Sequence, residues 1–104
     1  MQRFEDRVVL VTGAGGGIGQ ACAQRIAREG GAVFCVDLNE AAAQATVEAI
    51  DAEGGSATAR ACDISDETAV KECVAACIER YGSLYALVNM AGVLRFDDTE
   101  QLSL

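Results

Sequence analysis

A chain of 104 residues, 51% of them hydrophobic, is long enough for one small domain with a buried core. Its formal net charge of −8 produces a field that repels a phosphate backbone, which counts against nucleic acid as a partner. The opening MQRFEDRVVL mixes both charge signs, and the longest mostly apolar run, LYALVNMAGVL, is too short for a bilayer and contains Asn89, so the expectation is a soluble cytoplasmic protein with no membrane partner.

Residues 8–11, VVLV, form a continuous aliphatic run, as in a strand buried on both faces. A loop follows in which Gly13, Gly15, Gly16, Gly17 and Gly19 stand among seven residues. A first helix is expected from Ile18 to Arg28, with Ile18, Ala21, Cys22 and Ile26 at helical spacing and Gly30-Gly31 as its stop. The second strand is AVFCVD, residues 32–37, and Asn39 can cap a second helix with Ala43, Val47 and Ile50 on its apolar side. A third strand is expected over residues 56–62. Ser65 or Asp66 then caps a third helix with the stripe Val70, Cys73, Val74, Cys77, Ile78 and Tyr81, closed by Gly82. A fourth strand is expected from Leu84 to about Asn89.

The order β-α-β-α-β-α-β with short connections predicts a Rossmann-like α/β fold, a parallel sheet with helices on both faces. Right-handed crossovers give the strand order 3-2-1-4. The first strand is then central, and its carboxyl end, from which the glycine loop leaves, lies at the switch point. The five cysteines, Cys22, Cys35, Cys62, Cys73 and Cys77, are odd in number and scattered, with no Cys-x-x-Cys and no histidine. They are expected to pack as small hydrophobes, with no metal site and no disulfide framework.

A loop running from a strand tip into a helix N-terminus aims free backbone N–H groups at one spot, where the helix dipole favours an anion. Gly13 suits a tight turn, Gly17 a close approach of backbone to phosphate, and Gly19 close packing of helix on strand. Gly-x-Gly-x-x-Gly does not fit, because a glycine would be needed at Ile18. The pattern that fits is Thr12-Gly13-x-x-x-Gly17-x-Gly19. Asp37 closes the second strand eighteen residues after Gly19, where an acid can accept hydrogen bonds from both hydroxyls of an adenosine ribose. A 2′-phosphate would meet it as a like charge, and neither Leu38, Asn39 nor the loop from Gly13 to Gly19 supplies a cation. NAD is therefore expected over NADP.

TGAGGGIG at 12–19, CDISD at 62–66 and NMAG at 89–92 together resemble the short-chain dehydrogenase/reductase family, in family order and each after an expected strand. The resemblance covers essentially the whole chain. It implies a dinucleotide cofactor whose pyrophosphate lies on the loop, with Ile18 contributing its backbone N–H. It implies that Asp63 and Ile64 meet the adenine edge, and that Asn89, Ala91 and Gly92 lie beside the adenosine ribose. Met90 departs from the second Asn of the family's usual Asn-Asn-Ala-Gly. The family's activity, hydride transfer between NAD(H) and an alcohol or carbonyl compound, depends on a Tyr-x-x-x-Lys pair that this sequence lacks. Lys71 is the only lysine and has no Tyr four residues before it, so no catalytic residue is assigned.

The chain therefore reads as a single NAD-binding domain over residues 1–104, the N-terminal half of a longer dehydrogenase, cut after the fourth strand. That strand would be an uncovered edge inviting self-association, and this half alone would be inactive. Two other readings remain open: a stand-alone NAD-binding module without chemistry, and an interaction protein that pairs through the open edge.

Overall fold

Residues 4–89 are described by a computed structural model. Strand β1 spans Val8–Thr12 and is buried at all five positions. It lies between β2, Ala32–Asp37, and β4, Ala86–Asn89, and β3, Ser56–Ala61, pairs with the far side of β2. Every pairing is parallel, giving the order β3-β2-β1-β4. The register sets Leu10 opposite both Phe34 and Leu87. The order is the one that right-handed crossovers require.

Alternate residues of each strand face opposite layers. Val9, Val11, Val33 and Cys35 face helices α1, Gly17–Arg28, and α2, Glu40–Ala52, packing with Ala23, Ile26, Ala43, Val47 and Ile50. Val8, Leu10, Phe34 and Val36 face α3, Glu67–Tyr81, and meet Cys73, Val74 and Cys77. A strand flanked by two helical layers has no polar face to give up, which is why the run at 8–11 is unbroken. Among the described residues, no helix is long and apolar enough to cross a membrane.

Three local expectations shift, and one open alternative resolves. The buried face of α1 is Gly19, Ala23 and Ile26, whereas Ile18 is 73% exposed and Ala21 is also exposed. Gly19 carries no hydrophobic signal, yet it lies innermost because it lacks a Cβ. The third strand ends at Ala61, and Cys62 leaves the ladder with a last bond from its N–H to the Asp37 carbonyl at 3.1 Å. The fourth strand begins at Ala86, two residues later than expected. The cap of α3 is Asp66, whose Oδ1 accepts from the N–H groups of Thr68 and Ala69 at 3.0 and 3.3 Å. Ser65 is already engaged with Asp63.

Candidate dinucleotide-binding site

The carboxyl ends of β1, β2 and β3 open on one side of the sheet into a cleft of about 330 Å³. It is lined by Gly13 and Gly16 after β1, Asp37 and Leu38 at the end of β2, and Cys62, Asp63 and Ile64 after β3. Three segments far apart in sequence meet here because parallel strands deliver all their carboxyl ends to the same edge.

Gly13 turns the chain out of β1 at φ +66°, a left-handed conformation open to glycine. The turn closes with the Gly16 N–H donating to the Gly13 carbonyl at 3.1 Å. Gly16 is the N-cap of α1 and brings no side-chain acceptor to the first turn, which also contains no acidic residue. The other two helices are capped by Asn39 and Asp66 and begin with Glu40 and Glu67. The amino end of α1 thus has neither a side-chain cap nor an acid in its own first turn to offset its positive dipole. A Cβ on Gly17 would meet nothing within 4 Å, so the space above the first turn is open. One on Gly19 would run into the Gly13 carbonyl oxygen, which explains how closely the helix seats on the loop.

Asp37 is held by two backbone donors: Gly15 N–H to Oδ2 and Asn39 N–H to Oδ1, each at 2.9 Å. Asp63 Oδ1 accepts from the Ser65 hydroxyl at 2.6 Å and from its N–H at 2.9 Å. Those bonds, the hydroxyl first, hold the Asp63 carboxyl below its ordinary value of 3.8. Among the described residues, the cleft lining therefore carries two carboxylates and no Lys or Arg.

Gly13, Gly16, Asp37, Leu38, Asp63 and Ile64 come together as cleft lining. Gly15, Gly17, Ile18 and Gly19 stand beside it in the loop and first turn but are not among the lining residues. Gly15 packs against Ala42 of α2. Asn89 ends β4, where its Oδ1 accepts from Thr12 Oγ1 at 2.7 Å, tying β4 to the end of β1. Ala91 and Gly92, with Met90, lie outside the described residues. Cys62 also lines the cleft, and sequence reasoning passed over it. The only signal was its place directly before Asp63. Burial raises the thiols of Cys62, Cys35, Cys73 and Cys77. All five cysteines are free, and among the described residues no three metal-ligating side chains gather.

A family model described as short chain dehydrogenase matches residues 7–104. The chain is 44% identical over 94 residues to a 3beta-hydroxysteroid dehydrogenase of Mediterraneibacter gnavus, covering 90% of this chain and 34% of that protein. It is 38% identical over 102 residues to a D-threitol dehydrogenase of Mycolicibacterium smegmatis, covering 98% of this chain and 39% of the relative. Among solved structures, a hydroxysteroid dehydrogenase from Escherichia coli superposes with a TM-score of 0.82 at 34% identity, over 93% of this chain and 43% of that one. The chain thus spans between a third and two fifths of the curated relatives just named. The strand order, the glycine turn into a bare helix end and a match running from residue 7 to residue 104 lead to one conclusion: the chain belongs to the short-chain dehydrogenase/reductase family.

Proposed function

We propose that this chain forms the NAD-binding part of an oxidoreductase that moves hydride between a nicotinamide cofactor and an alcohol or carbonyl substrate. The observation that carries the reading is the Asp37 carboxylate, fixed by two backbone N–H groups at the edge of a cleft that no cation lines among the described residues. The residues present fit the cofactor. The bare amino end of α1 and the open space above Gly17 suit a pyrophosphate. Asp37 suits the ribose hydroxyls, Asp63 and Ile64 the adenine edge, and Asn89 the neighbouring ribose segment. Gly13, Gly15, Gly16, Ile18 and Gly19 build the turn and the helix start that present the backbone. When bound, the cofactor supplies the hydride chemistry; these residues bind and orient its adenosine half.

NAD is preferred over NADP on electrostatic grounds. A 2′-phosphate charge ~4 Å from a carboxylate costs about 4 kcal/mol at an effective dielectric near 20. Replacing Asp37 by Ser and Leu38 by Arg is expected to shift preference toward NADP. Dissociation constants for both cofactors, measured on parent and double variant, check this. A parent that already holds NADP as tightly as NAD refutes the assignment.

With no Tyr-x-x-x-Lys in its 104 residues, the chain is expected to be silent in turnover. β4 ends the described sheet, with Leu87 and Val88 half-buried and Leu84 just before it, so self-association through that edge is expected. NADH absorbance over a panel of alcohols and ketones, with light scattering across concentration, tests both. Robust turnover or a monomer at high concentration would count against them. Unpaired thiols suit a cytoplasmic setting.

A further inference from the structure

The peptide unit joining Ala14 to Gly15 is gripped at both ends. Its carbonyl oxygen accepts from Thr46 Oγ1 at 2.7 Å, and its N–H donates to Asp37 Oδ2 at 2.9 Å. Thr46 and Ala14 are both fully buried. The Thr46 hydroxyl has one hydrogen, and the alternative acceptor, the Ala42 carbonyl, lies farther away at 3.4 Å. Ala42 also closes the remaining side of Gly15, since a Cβ there would collide with it. Thr46 places a hydroxyl among Ala43, Val47 and Ile50 on the buried face of α2. A hydroxyl in such surroundings is costly unless it is bonded.

A peptide unit is planar, so its C=O and N–H turn together and a bond that fixes one fixes the other. We propose that Thr46 is a positioning and specificity-determining residue acting from outside the cleft. Through the Ala14 carbonyl it sets the orientation of the 14–15 peptide, and through the Gly15 N–H it holds the Asp37 carboxylate in the place that selects NAD. The inference rests on the cofactor reading above. Without the hydroxyl, the buried carbonyl loses this donor and the peptide gains by turning. The Gly15 N–H then leaves Asp37, and both the loop and the carboxylate lose their common anchor.

Two variants separate this role from simple core filling. Thr46→Val keeps the volume and removes the hydroxyl; Thr46→Ser keeps the hydroxyl and removes a methyl group. Core filling makes Val mild and Ser harmful, whereas positioning reverses that order. NAD and NADP dissociation constants are measured on the purified chain. Amide exchange at Gly15 is followed by NMR without ligand, with the buried Val33 amide as the reference for global opening. Thr46→Val is expected to weaken NAD about tenfold, to narrow the NAD-to-NADP ratio and to speed Gly15 exchange relative to Val33. Thr46→Ser is expected to stay within about twofold of the parent in each readout, because it retains the bond. Unchanged Gly15 exchange or unchanged NAD affinity in Thr46→Val overturns the proposal, as does greater damage from Ser than from Val. A parent that binds neither cofactor overturns the cofactor reading, and exchange at Gly15 then decides the grip by itself.

Discussion

A Cβ added to Gly17 enters open space, whereas one added two residues later at Gly19 strikes the Gly13 carbonyl oxygen. The two positions therefore separate ligand from fold. Gly17→Val is expected to abolish NAD binding with the helical circular dichroism intact, because the side chain fills the space proposed for phosphate. Gly19→Val is expected to lower stability by about 1–3 kcal/mol or more, because helix and loop must move apart. Thermal melts and NAD titrations on both variants check the pair. Equal NAD affinity in parent and Gly17→Val would remove the phosphate reading. Asp37 shows the same economy of position: its carboxylate closes β2, anchors the glycine loop through Gly15 and meets the next turn through Asn39.

The helices differ at their amino ends in a way that follows their roles. Asn39 and Asp66 cap α2 and α3 with side-chain oxygens, while α1 starts from a glycine. An N-cap acceptor satisfies donors that a buried or isolated helix end leaves open. Asp66→Ala is expected to cost about 1 kcal/mol, since both the Thr68 and Ala69 N–H groups lose their acceptor. Ser65→Ala spares that cap and removes the Ser65 hydroxyl bond from Asp63. Its expected signature is a rise of the Asp63 carboxyl toward its ordinary 3.8. Chemical denaturation measures the first, and NMR titration of the carboxyl carbon the second. A stability loss in Ser65→Ala equal to that in Asp66→Ala would mean that the cap has been misassigned.

Across the molecule, the core holds four thiols on its two faces. Burial pushes Cys35 up to about 12, Cys73 to about 12 and Cys77 to about 11, from an ordinary 9.0. A raised value in the folded chain means that the fold keeps protons which the unfolded chain sheds. The stabilisation linked to these thiols is therefore complete below pH 9 and is lost as pH climbs through 11 to 12. Melting temperature is expected to stay level between about pH 7 and 8.5 and to fall steeply above pH 9. Cys35→Val removes one titrating group, so its loss above pH 9 should be shallower than the parent's, whatever its starting stability. An identical alkaline slope would contradict the assignment.

What the sequence determined by itself was the set of features that depend on near neighbours. Unbroken aliphatic runs, helical spacing and glycine stops marked the elements, and the right-handed crossover rule turned their order into β3-β2-β1-β4. From that order alone, the glycine loop, Asp37 and Asp63 had to reach one edge of the sheet. Tertiary structure decided the rest, because the contacts involved join residues that no local pattern relates. Thr46 reaches Ala14 across 32 positions and Gly15 reaches Asp37 across 22, so the grip on the 14–15 peptide has no signature in spacing. The buried face of α1 departs from its hydrophobic spacing for a related reason. A glycine adds nothing to a hydrophobic stripe, yet the missing Cβ at Gly19 lets the helix seat on the loop, and that contact turns Ile18 and Ala21 outward. Cys62 enters the cleft only because the third strand stops at Ala61. Periodicity reports which residues avoid water; only the folded backbone reports how closely two segments approach.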